Sequence, residues 1–371
     1  MRVLLCTLSS PGYLFASIRL ALSLRERGHE VTFFSDATEL LRDLDFPCLF
    51  GEAAGSFDPG DWFRPETIAA HFDALTGALC QARPTLLLTH QLMLGPLLTA
   101  RQQGLPLGVI GLAAPMFPLS GEHLEQARLT GTRAAVRYTQ LLDIFDRATR
   151  VLSLPPDHVS PEYFSGEVFL LRSVPELELE ASVLPEHVHY AGDLWWEPPG
   201  GDENLARFLE RAQERPVVYL QPGRTFDEGS FTWALTCDLK EQYAVIIDTF
   251  RSDEEEETFS TDGNVLIQPY IPMGLVLPRA TLMVSHSHTT AALAGLRFGV
   301  PHLVVPNGSG TEDIAQRLVA AGAARCAQAS GVVAGARQVL GEHLRASPSL
   351  RTALQAGAAS GGACRALEAL G

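Results

Sequence analysis

Apolar runs and helix-like periodicity alternate along the whole chain. The apolar run 2–8 is followed by loop residues 9–13, by apolar positions at helical spacing up to Gly28, and by the apolar run 31–34. Strand, loop, helix, glycine and strand within about 35 residues predict a βαβ unit. Because such crossovers are right-handed, the two strands should lie parallel in one sheet.

The same alternation continues and predicts the remaining elements. In the first half, the predicted helices cover 36–44, 65–81, 94–103 and two segments within 122–148, and the predicted strands cover 48–50, 84–88, 107–110, 150–154 and 168–171. In the second half, the predicted helices cover 203–213, 231–239, a segment behind Thr290 and the chain from Glu312 to its end, and the predicted strands cover 216–220, 244–248, 265–267, 282–284 and 300–305. We take the acidic run 253–257 as a solvated loop.

A Pro/Gly-rich stretch separates the two series and has the composition of a linker. We therefore predict an α/β protein with two doubly wound, Rossmann-like domains. The amino-terminal domain covers 1–194, the linker 195–204 and the carboxy-terminal domain 205–350, and the closing segment 351–371 is a candidate to pack back on the first domain. In such folds ligands bind at the carboxyl ends of the strands, which predicts a crevice between the halves.

One stretch of the second half carries candidate chemistry. His286 stands at the end of a predicted strand, and Ser287, Thr289 and Thr290 are hydroxyl residues at the start of the next predicted helix. A helix that begins at the carboxyl edge of a parallel sheet offers N–H groups and a partial positive charge, which suit a phosphate or diphosphate. The alternative is that the hydroxyls only cap the helix and that His286 is a core histidine.

Composition narrows the class of protein. The chain of 371 residues has a formal net charge of −15 and no basic stripe, which argues against nucleic acid and anionic membranes as partners. Its six cysteines are scattered without a C-x-x-C pair, which favours reduced thiols over disulfides or zinc. The first residues lead directly into a strand without a signal peptide, and no apolar run reaches the roughly 20 residues of a membrane span. We expect a cytoplasmic protein with no metal site.

Five segments, in this order, resemble one enzyme family over nearly the whole chain. They are 25–33, 190–194, 216–224, 264–280 and 286–306. The chain is thereby similar to the family 1 glycosyltransferases of the GT-B fold, notably bacterial ones that decorate natural products. The resemblance implies inverting, metal-independent transfer of a sugar from a nucleotide sugar, dTDP- or UDP-linked, to a small-molecule acceptor. The nucleotide sugar is then a co-substrate, and no cofactor is implied.

The resemblance also implies the residues of the donor site. They lie in the turn after a strand, in the nucleobase-binding segment, in the signature around the predicted helix start, and in the segment that reads the sugar. In this sequence they are Gly223, Arg224, Thr225, Ile271, Met273, His286, Ser287, His288, Thr289, Thr290, Gly310 and Thr311.

The sequence departs from the family at the catalytic positions. Tyr13 stands where the family has its catalytic histidine, and His90 stands where it has the aspartate partner. An imidazole with a pKa near 6.5 is a better base at pH 7 than a phenol with a pKa near 10. We therefore predict that His90 takes the proton of the acceptor, directly or through Tyr13. The alternative is a loop histidine without a chemical role.

The donor site departs as well. Ser287 and His288 replace paired glycines, Ala294 replaces the glutamate that holds the ribose, and Gly310-Thr311 replaces the Asp-Gln pair that reads sugar hydroxyls. A deoxysugar would lose less from the last change than a fully hydroxylated hexose. Two other functions stay open: an auxiliary GT-B protein that binds a partner or aglycone without catalysis, and a GT-B enzyme with different chemistry. Both a homodimer and association with a partner protein are compatible with the sequence.

Overall fold

The chain divides into two compact units. The computed structural model describes residues 1–49, 55–155, 159–179, 184–212, 214–223, 231–249, 263–308, 310–342, 348–359 and 361–370. The first unit comprises Met1–Ser173, Val183–Trp196 and Gly357–Gly371, and the second comprises Val174–Ser182 and Glu197–Ala356. The predicted acidic loop 253–257 lies outside the described residues.

The first unit contains a seven-stranded parallel sheet within the described residues. Its strands are β1 (Arg2–Cys6), β2 (Glu30–Phe34), β3 (Cys48–Leu49), β4 (Leu86–His90), β5 (Leu107–Ile110), β6 (Val168–Leu171) and β7 (Val188–Tyr190). They lie in the order β3-β2-β1-β4-β5-β6-β7. All five residues of β4 are buried, as expected for a central strand whose two faces are both covered by helices.

The second unit repeats this plan with six strands among its described residues. They are β8 (Val217–Gln221), β9 (Ala244–Asp248), β10 (Val265–Gln268), β11 (Ala280–Ser285), β12 (His302–Val304) and β13 (Ala324–Cys326). Their order is β10-β9-β8-β11-β12-β13, and all pairs are parallel. Both sheets therefore reverse their winding direction once, between β1 and β4 in the first and between β8 and β11 in the second. These two places are the topological switch points, where doubly wound proteins bind their ligands.

Helices cover both sheets. They are α1 (Pro11–Glu26), α2 (Thr38–Asp43), α3 (Pro65–Ala82), α4 (Leu94–Gln103), α5 (Gly121–Thr130), α6 (Arg133–Val151), α7 (Pro161–Ser165), α8 (Glu203–Ala212), α9 (Phe231–Leu239), α10 (Met273–Val276), α11 (Thr289–Phe298), α12 (Thr311–Ala320), α13 (Val332–Glu342), α14 (Pro348–Ala359) and α15 (Gly362–Glu368). The predicted fold class, two doubly wound α/β domains, is confirmed.

Two predicted elements were wrong. The segment 150–154 was predicted as a strand, but Arg150 and Val151 form the last turn of α6. The buried positions of α6 recur at helical spacing up to Thr149, so the following apolar residues continue the helix instead of opening a strand. The chain after Glu312 was predicted as helical throughout, yet it contains β13. This three-residue edge strand buries only Ala324, so no apolar run marks it in the sequence.

Candidate functional site

The switch point of the second unit brings two predicted donor segments together. The β8 strand ends at Gln221, and the following Gly223 adopts φ +65°. A Cβ atom added to Gly223 would lie 3.6 Å from Cδ2 of His288, the residue that precedes α11. The turn after β8 and the start of α11 are therefore neighbours. Arg224 and Thr225, predicted to complete this turn, lie outside the described residues.

Helix α11 begins close to the predicted position, but its N-cap is not a hydroxyl residue. Its N-cap is the exposed His288, which has an extended backbone and makes no capping hydrogen bond with its side chain. Thr289 and Thr290 form its first turn. Ser287, predicted as a capping hydroxyl, lies one residue too early for that role, and this prediction was wrong. The main-chain N–H groups of the first turn still lie at the carboxyl edge of the sheet, where the helix dipole favours an anion.

Ser287 has a left-handed backbone with φ +59°. This conformation turns its hydroxyl away from α11, so that Oγ donates to the carbonyl of Thr311 at 2.7 Å or of His286 at 2.6 Å. Its amide donates to Oγ of Ser285 at 3.0 Å. A left-handed backbone favours glycine over residues that carry a Cβ atom, so this conformation is unfavourable for serine. The hydrogen bond of its hydroxyl to the start of α12 opposes that cost.

His286 is anchored at the end of β11. Its Nδ1–H donates to the carbonyl of Val305 at 2.5 Å, and its ring packs against Phe231 with 5.2 Å between ring centroids. The bond to Val305 assigns the proton of the neutral ring to Nδ1, so Nε2 can donate to an anion only when the imidazole is protonated. Burial lowers the pKa of His286, and the Val305 carbonyl opposes that shift.

The predicted sugar-reading residues have little to offer a sugar hydroxyl. Gly310 precedes α12 with φ +92° and has no side chain. Thr311 is 3% exposed, and its hydroxyl donates to the carbonyl of Gly308 at 2.5 Å. The same hydroxyl accepts from the amide of Asn307 at 3.2 Å. The Thr311 hydroxyl is therefore already hydrogen-bonded to the main chain of Asn307 and Gly308.

The predicted nucleobase segment is held by a residue that the sequence did not single out. Both oxygens of the Glu197 carboxylate accept main-chain N–H groups, from Met273 at 2.7 Å and from Gly274 at 2.8 Å. Burial raises the pKa of Glu197, although these two bonds oppose the shift. Ile271 is fully buried, and Met273 is 6% exposed. The amide of Met273 is therefore taken by the protein itself. In the sequence, the only sign of this role was that an acidic residue, Glu197, directly follows Trp195-Trp196.

The switch point of the first unit brings together the two predicted catalytic residues. Tyr13 lies in the first turn of α1, directly after β1, and His90 is the last residue of β4. Their rings touch edge to face, with 4.3 Å between the centroids and 75° between the planes. Tyr13 is half-buried, whereas His90 has no exposed surface.

The surroundings of His90 are those of a neutral histidine. Its Nδ1 accepts the main-chain N–H of Leu92 at 3.3 Å, which places the ring proton on Nε2. Among the described residues, Nε2 has no hydrogen-bond partner. Burial lowers the pKa of His90 well below its usual value, and the charge of Arg172 lowers it further. His90 has no exposed surface in this structure, and its predicted role as the proton acceptor, directly or through Tyr13, stays a prediction.

Two buried charges beside this pair were missed in the sequence. Arg172, directly after β6, donates to the carbonyl of Gly12 at 3.0 Å and to that of Asp193 at 3.2 Å. Arg172 is 2% exposed and Asp193 is 1% exposed. An arginine at the end of the apolar run 168–171 was the signal.

Two features are absent from the described residues. None of the helices there combines the length and apolar character needed to cross a bilayer. No cluster of three or more His, Cys, Asp or Glu side chains in those same ranges is arranged to hold a metal ion.

Comparisons with known proteins agree with this architecture. Residues 235–354 match the family described as Erythromycin biosynthesis protein CIII-like, C-terminal domain. The chain is 23% identical over 340 residues to a zeaxanthin glucosyltransferase from Pseudescherichia vulneris, which covers 82% of this chain and 81% of that protein.

Solved structures resemble the chain over its whole length. The glycosyltransferase of kitacinnamycin matches with a TM-score of 0.70 and 18% identity, over 99% of this chain and 97% of that one. SnogD, a glycosyltransferase from Streptomyces nogalater, matches with a TM-score of 0.68 and 19% identity, over 100% and 99% of the two chains. VinC, a glycosyltransferase solved in complex with dTDP, matches with a TM-score of 0.65 and 21% identity, over 100% of both chains. The chain has the GT-B fold, and the sequence relative and the solved structures that resemble it are described as glycosyltransferases, in line with the family resemblance and enzyme class predicted from the sequence.

Proposed function

We propose that this chain transfers a sugar, preferably a deoxysugar, from a dTDP- or UDP-activated donor to a small natural-product acceptor. The transfer inverts the anomeric configuration and needs no metal ion. In this proposal residues 1–194 bind the acceptor and residues 205–350 bind the nucleotide sugar. The observation that carries it is the coincidence of both topological switch points with the residues predicted for catalysis and donor binding.

The diphosphate of the donor binds at the amino end of α11. Main-chain N–H groups of the first turn, reinforced by the helix dipole, stabilise the negative charge that grows on the leaving group. His286 adds a donor when its imidazole is protonated, because its Nδ1 is already bound to Val305. The fold relative VinC, solved with dTDP, supports a thymidine nucleotide as the first candidate.

The acceptor reacts beside Tyr13. Its oxygen forms a bond to the anomeric carbon, the bond between that carbon and the diphosphate oxygen breaks, and the acceptor proton leaves to a base. Because His90 is buried behind the Tyr13 ring, Tyr13 is the group of the pair that can contact the acceptor. The Tyr13 oxygen accepts a hydrogen bond from the acceptor hydroxyl and orients it. The acceptor proton moves to that oxygen when Tyr13 is in its phenolate form, because a neutral phenol cannot take a second proton.

The sugar subsite favours a deoxygenated donor. Gly310 offers no side chain, and the Thr311 hydroxyl is engaged within its own loop. A sugar hydroxyl buried there without a partner would lose hydrogen bonds that it makes in water, at a cost of about 1–3 kcal/mol. A sugar without that hydroxyl avoids the cost.

Calorimetry with dTDP, UDP and GDP tests the donor assignment. We expect dTDP or UDP to bind, and we expect its affinity to rise from pH 8 to pH 6, because anion binding favours protonated His286. In H286Q the part of the pH dependence that comes from His286 should disappear. Any pH dependence that remains in H286Q then comes from protonation of the nucleotide. The matched control H123Q, a substitution in α5 of the first unit, should behave like the unsubstituted protein. Absence of binding by all three nucleotides at millimolar concentration would refute the donor site.

Product formation tests the reaction itself. The protein is incubated with dTDP- and UDP-sugars, with and without deoxygenation, and with a panel of aromatic and polyketide acceptors, and products are detected by mass. We expect a gain of one sugar residue and release of the nucleoside diphosphate. The burial of His90 favours one second candidate, a GT-B protein that binds nucleotide and aglycone without catalysis. Tight nucleotide binding without any product over the panel would favour it.

A further inference from the structure

Arg172 carries its positive charge in the protein interior, where an ionised side chain is energetically unfavourable. It follows the buried strand β6 and is only 2% exposed. Removing a charged side chain from water costs several kcal/mol unless partners compensate for it, so arginine is rarely buried without a structural or chemical reason. Burial lowers the pKa of Arg172 to about 10, while the carboxylate of Asp193 opposes the shift. The guanidinium therefore stays charged at pH 7.

The guanidinium ties two distant segments to the end of β6. One nitrogen, Nη1, donates to the carbonyl of Gly12, and Nη2 donates to the carbonyl of Asp193, at 3.0 Å and 3.2 Å. The first segment begins α1 and the second follows β7, so they lie about 180 residues apart in sequence. A planar fork can hold two carbonyls in fixed geometry, which the single ammonium of lysine cannot reproduce.

Gly12 is the residue directly before Tyr13, and the remaining main-chain groups of Tyr13 are also bound. The Tyr13 amide donates to the carbonyl of Ser10 at 2.9 Å, and its carbonyl accepts the hydroxyl of Ser17 at 2.9 Å. With the Gly12 carbonyl held by Arg172, the backbone of this turn has little freedom. The Tyr13 ring then keeps one position, against the ring of His90.

We propose that Arg172 is a positioning residue of the acceptor site, which fixes the Gly12–Tyr13 turn so that the Tyr13 hydroxyl meets the acceptor in one geometry. This inference rests on the proposed function only in what it says about the acceptor. The alternative is that Arg172 only neutralises the buried carboxylate of Asp193. A lysine at this position would satisfy that alternative, since it keeps the charge.

A first experiment needs no substrate. Histidine-labelled protein is compared by NMR as the unsubstituted chain, R172K, R172M and Y13L, with H90Q used to assign the His90 signals. Loss of the Tyr13 ring in Y13L defines the shift of the His90 signals that the ring contact causes. We expect the His90 signals of both R172K and R172M to move toward their Y13L positions. If they stay at their original positions in R172K, charge alone is sufficient and the proposal is overturned. R172K keeps the test valid if R172M does not fold.

A second experiment uses turnover. With a donor and an acceptor that give product, we expect R172K and R172M to lower kcat by about 10- to 100-fold, the loss that a small misplacement of a reacting group causes. The KM for the nucleotide sugar and the affinity for dTDP should stay unchanged, because Arg172 belongs to the first unit. The exposed control R337K, in α13 of the second unit, should change neither quantity.

The outcomes separate this proposal from the proposed function. Moved His90 signals without nucleotide binding or product in any variant would support the positioning role and refute the transferase function. Normal turnover in R172K would overturn the positioning role and leave the transferase function intact. A fall in dTDP affinity in R172K would also contradict it, because the substitution would then act on the donor site.

Discussion

The backbone of Ser287 allows a quantitative test of the donor loop. At φ +59° a residue with a Cβ atom is less stable than glycine by about 1 kcal/mol. The hydrogen bond of the Ser287 hydroxyl to the Thr311 carbonyl, at 2.7 Å, stabilises the folded state by about 1 kcal/mol. S287G removes both effects and should leave the free energy of unfolding nearly unchanged. S287A removes the hydrogen bond and keeps the unfavourable backbone, so it should lower that free energy by about 1 kcal/mol.

The measurement is urea unfolding of the second unit. Trp233, in α9, belongs to that unit, whereas Trp62, Trp195 and Trp196 belong to the first, so 19F NMR of fluorotryptophan-labelled protein follows the units separately. With a urea dependence of about 2 kcal/mol per M, 1 kcal/mol corresponds to a midpoint difference of about 0.5 M between S287G and S287A.

A control of opposite sign lies in α12. Gln316 is exposed in the middle of that helix, where alanine is more stable than glycine by about 1 kcal/mol, so Q316A should unfold at higher urea than Q316G. At position 287 glycine should be the more stable of the two. If S287A were as stable as S287G while the pair at 316 behaved as expected, the argument from the left-handed backbone would be refuted.

Two further predictions concern packing and pH. A Cβ atom at Gly95 would lie 2.4 Å from Cβ of His71 in α3, so G95A should destabilise the first unit by about 3 kcal/mol. Gly77, also in α3, has open space around it, so G77A should stabilise the unit by up to about 1 kcal/mol. Thermal unfolding of the two variants compares these effects. Burial lowers the pKa of His302 to about 3, below its usual 6.5, so the stability that its neutral form contributes is complete above pH 6.5 and is lost as pH falls toward 3. H302N should therefore reduce the slope of the unfolding free energy against pH in that window by about 1.4 kcal/mol per pH unit, as measured by urea titrations at several pH values; an unchanged slope would contradict the assignment.

The amino-acid sequence by itself determined the architecture of this protein. Apolar runs of strand length, separated by helical periodicity and glycine stops, specified two parallel α/β series, because burial of a parallel sheet on both faces demands such runs. The strand limits of β5, β6 and β9 followed from local pattern alone. The helix start near His288 followed from the run of polar residues behind an apolar strand.

Only the tertiary structure decided what the candidate residues can do. The sequence brought Tyr13 and His90 into view, but their different burial depends on strands and helices that are remote in sequence. Arg172 meets the carbonyls of Gly12 and Asp193 only because the carboxyl ends of β1, β6 and β7 lie at the same end of one parallel sheet. The left-handed backbone of Ser287 is likewise a property of how two loops meet. Periodicity reports which face of an element is buried, whereas pKa, tautomer and contact depend on which groups from distant parts of the chain share that interior.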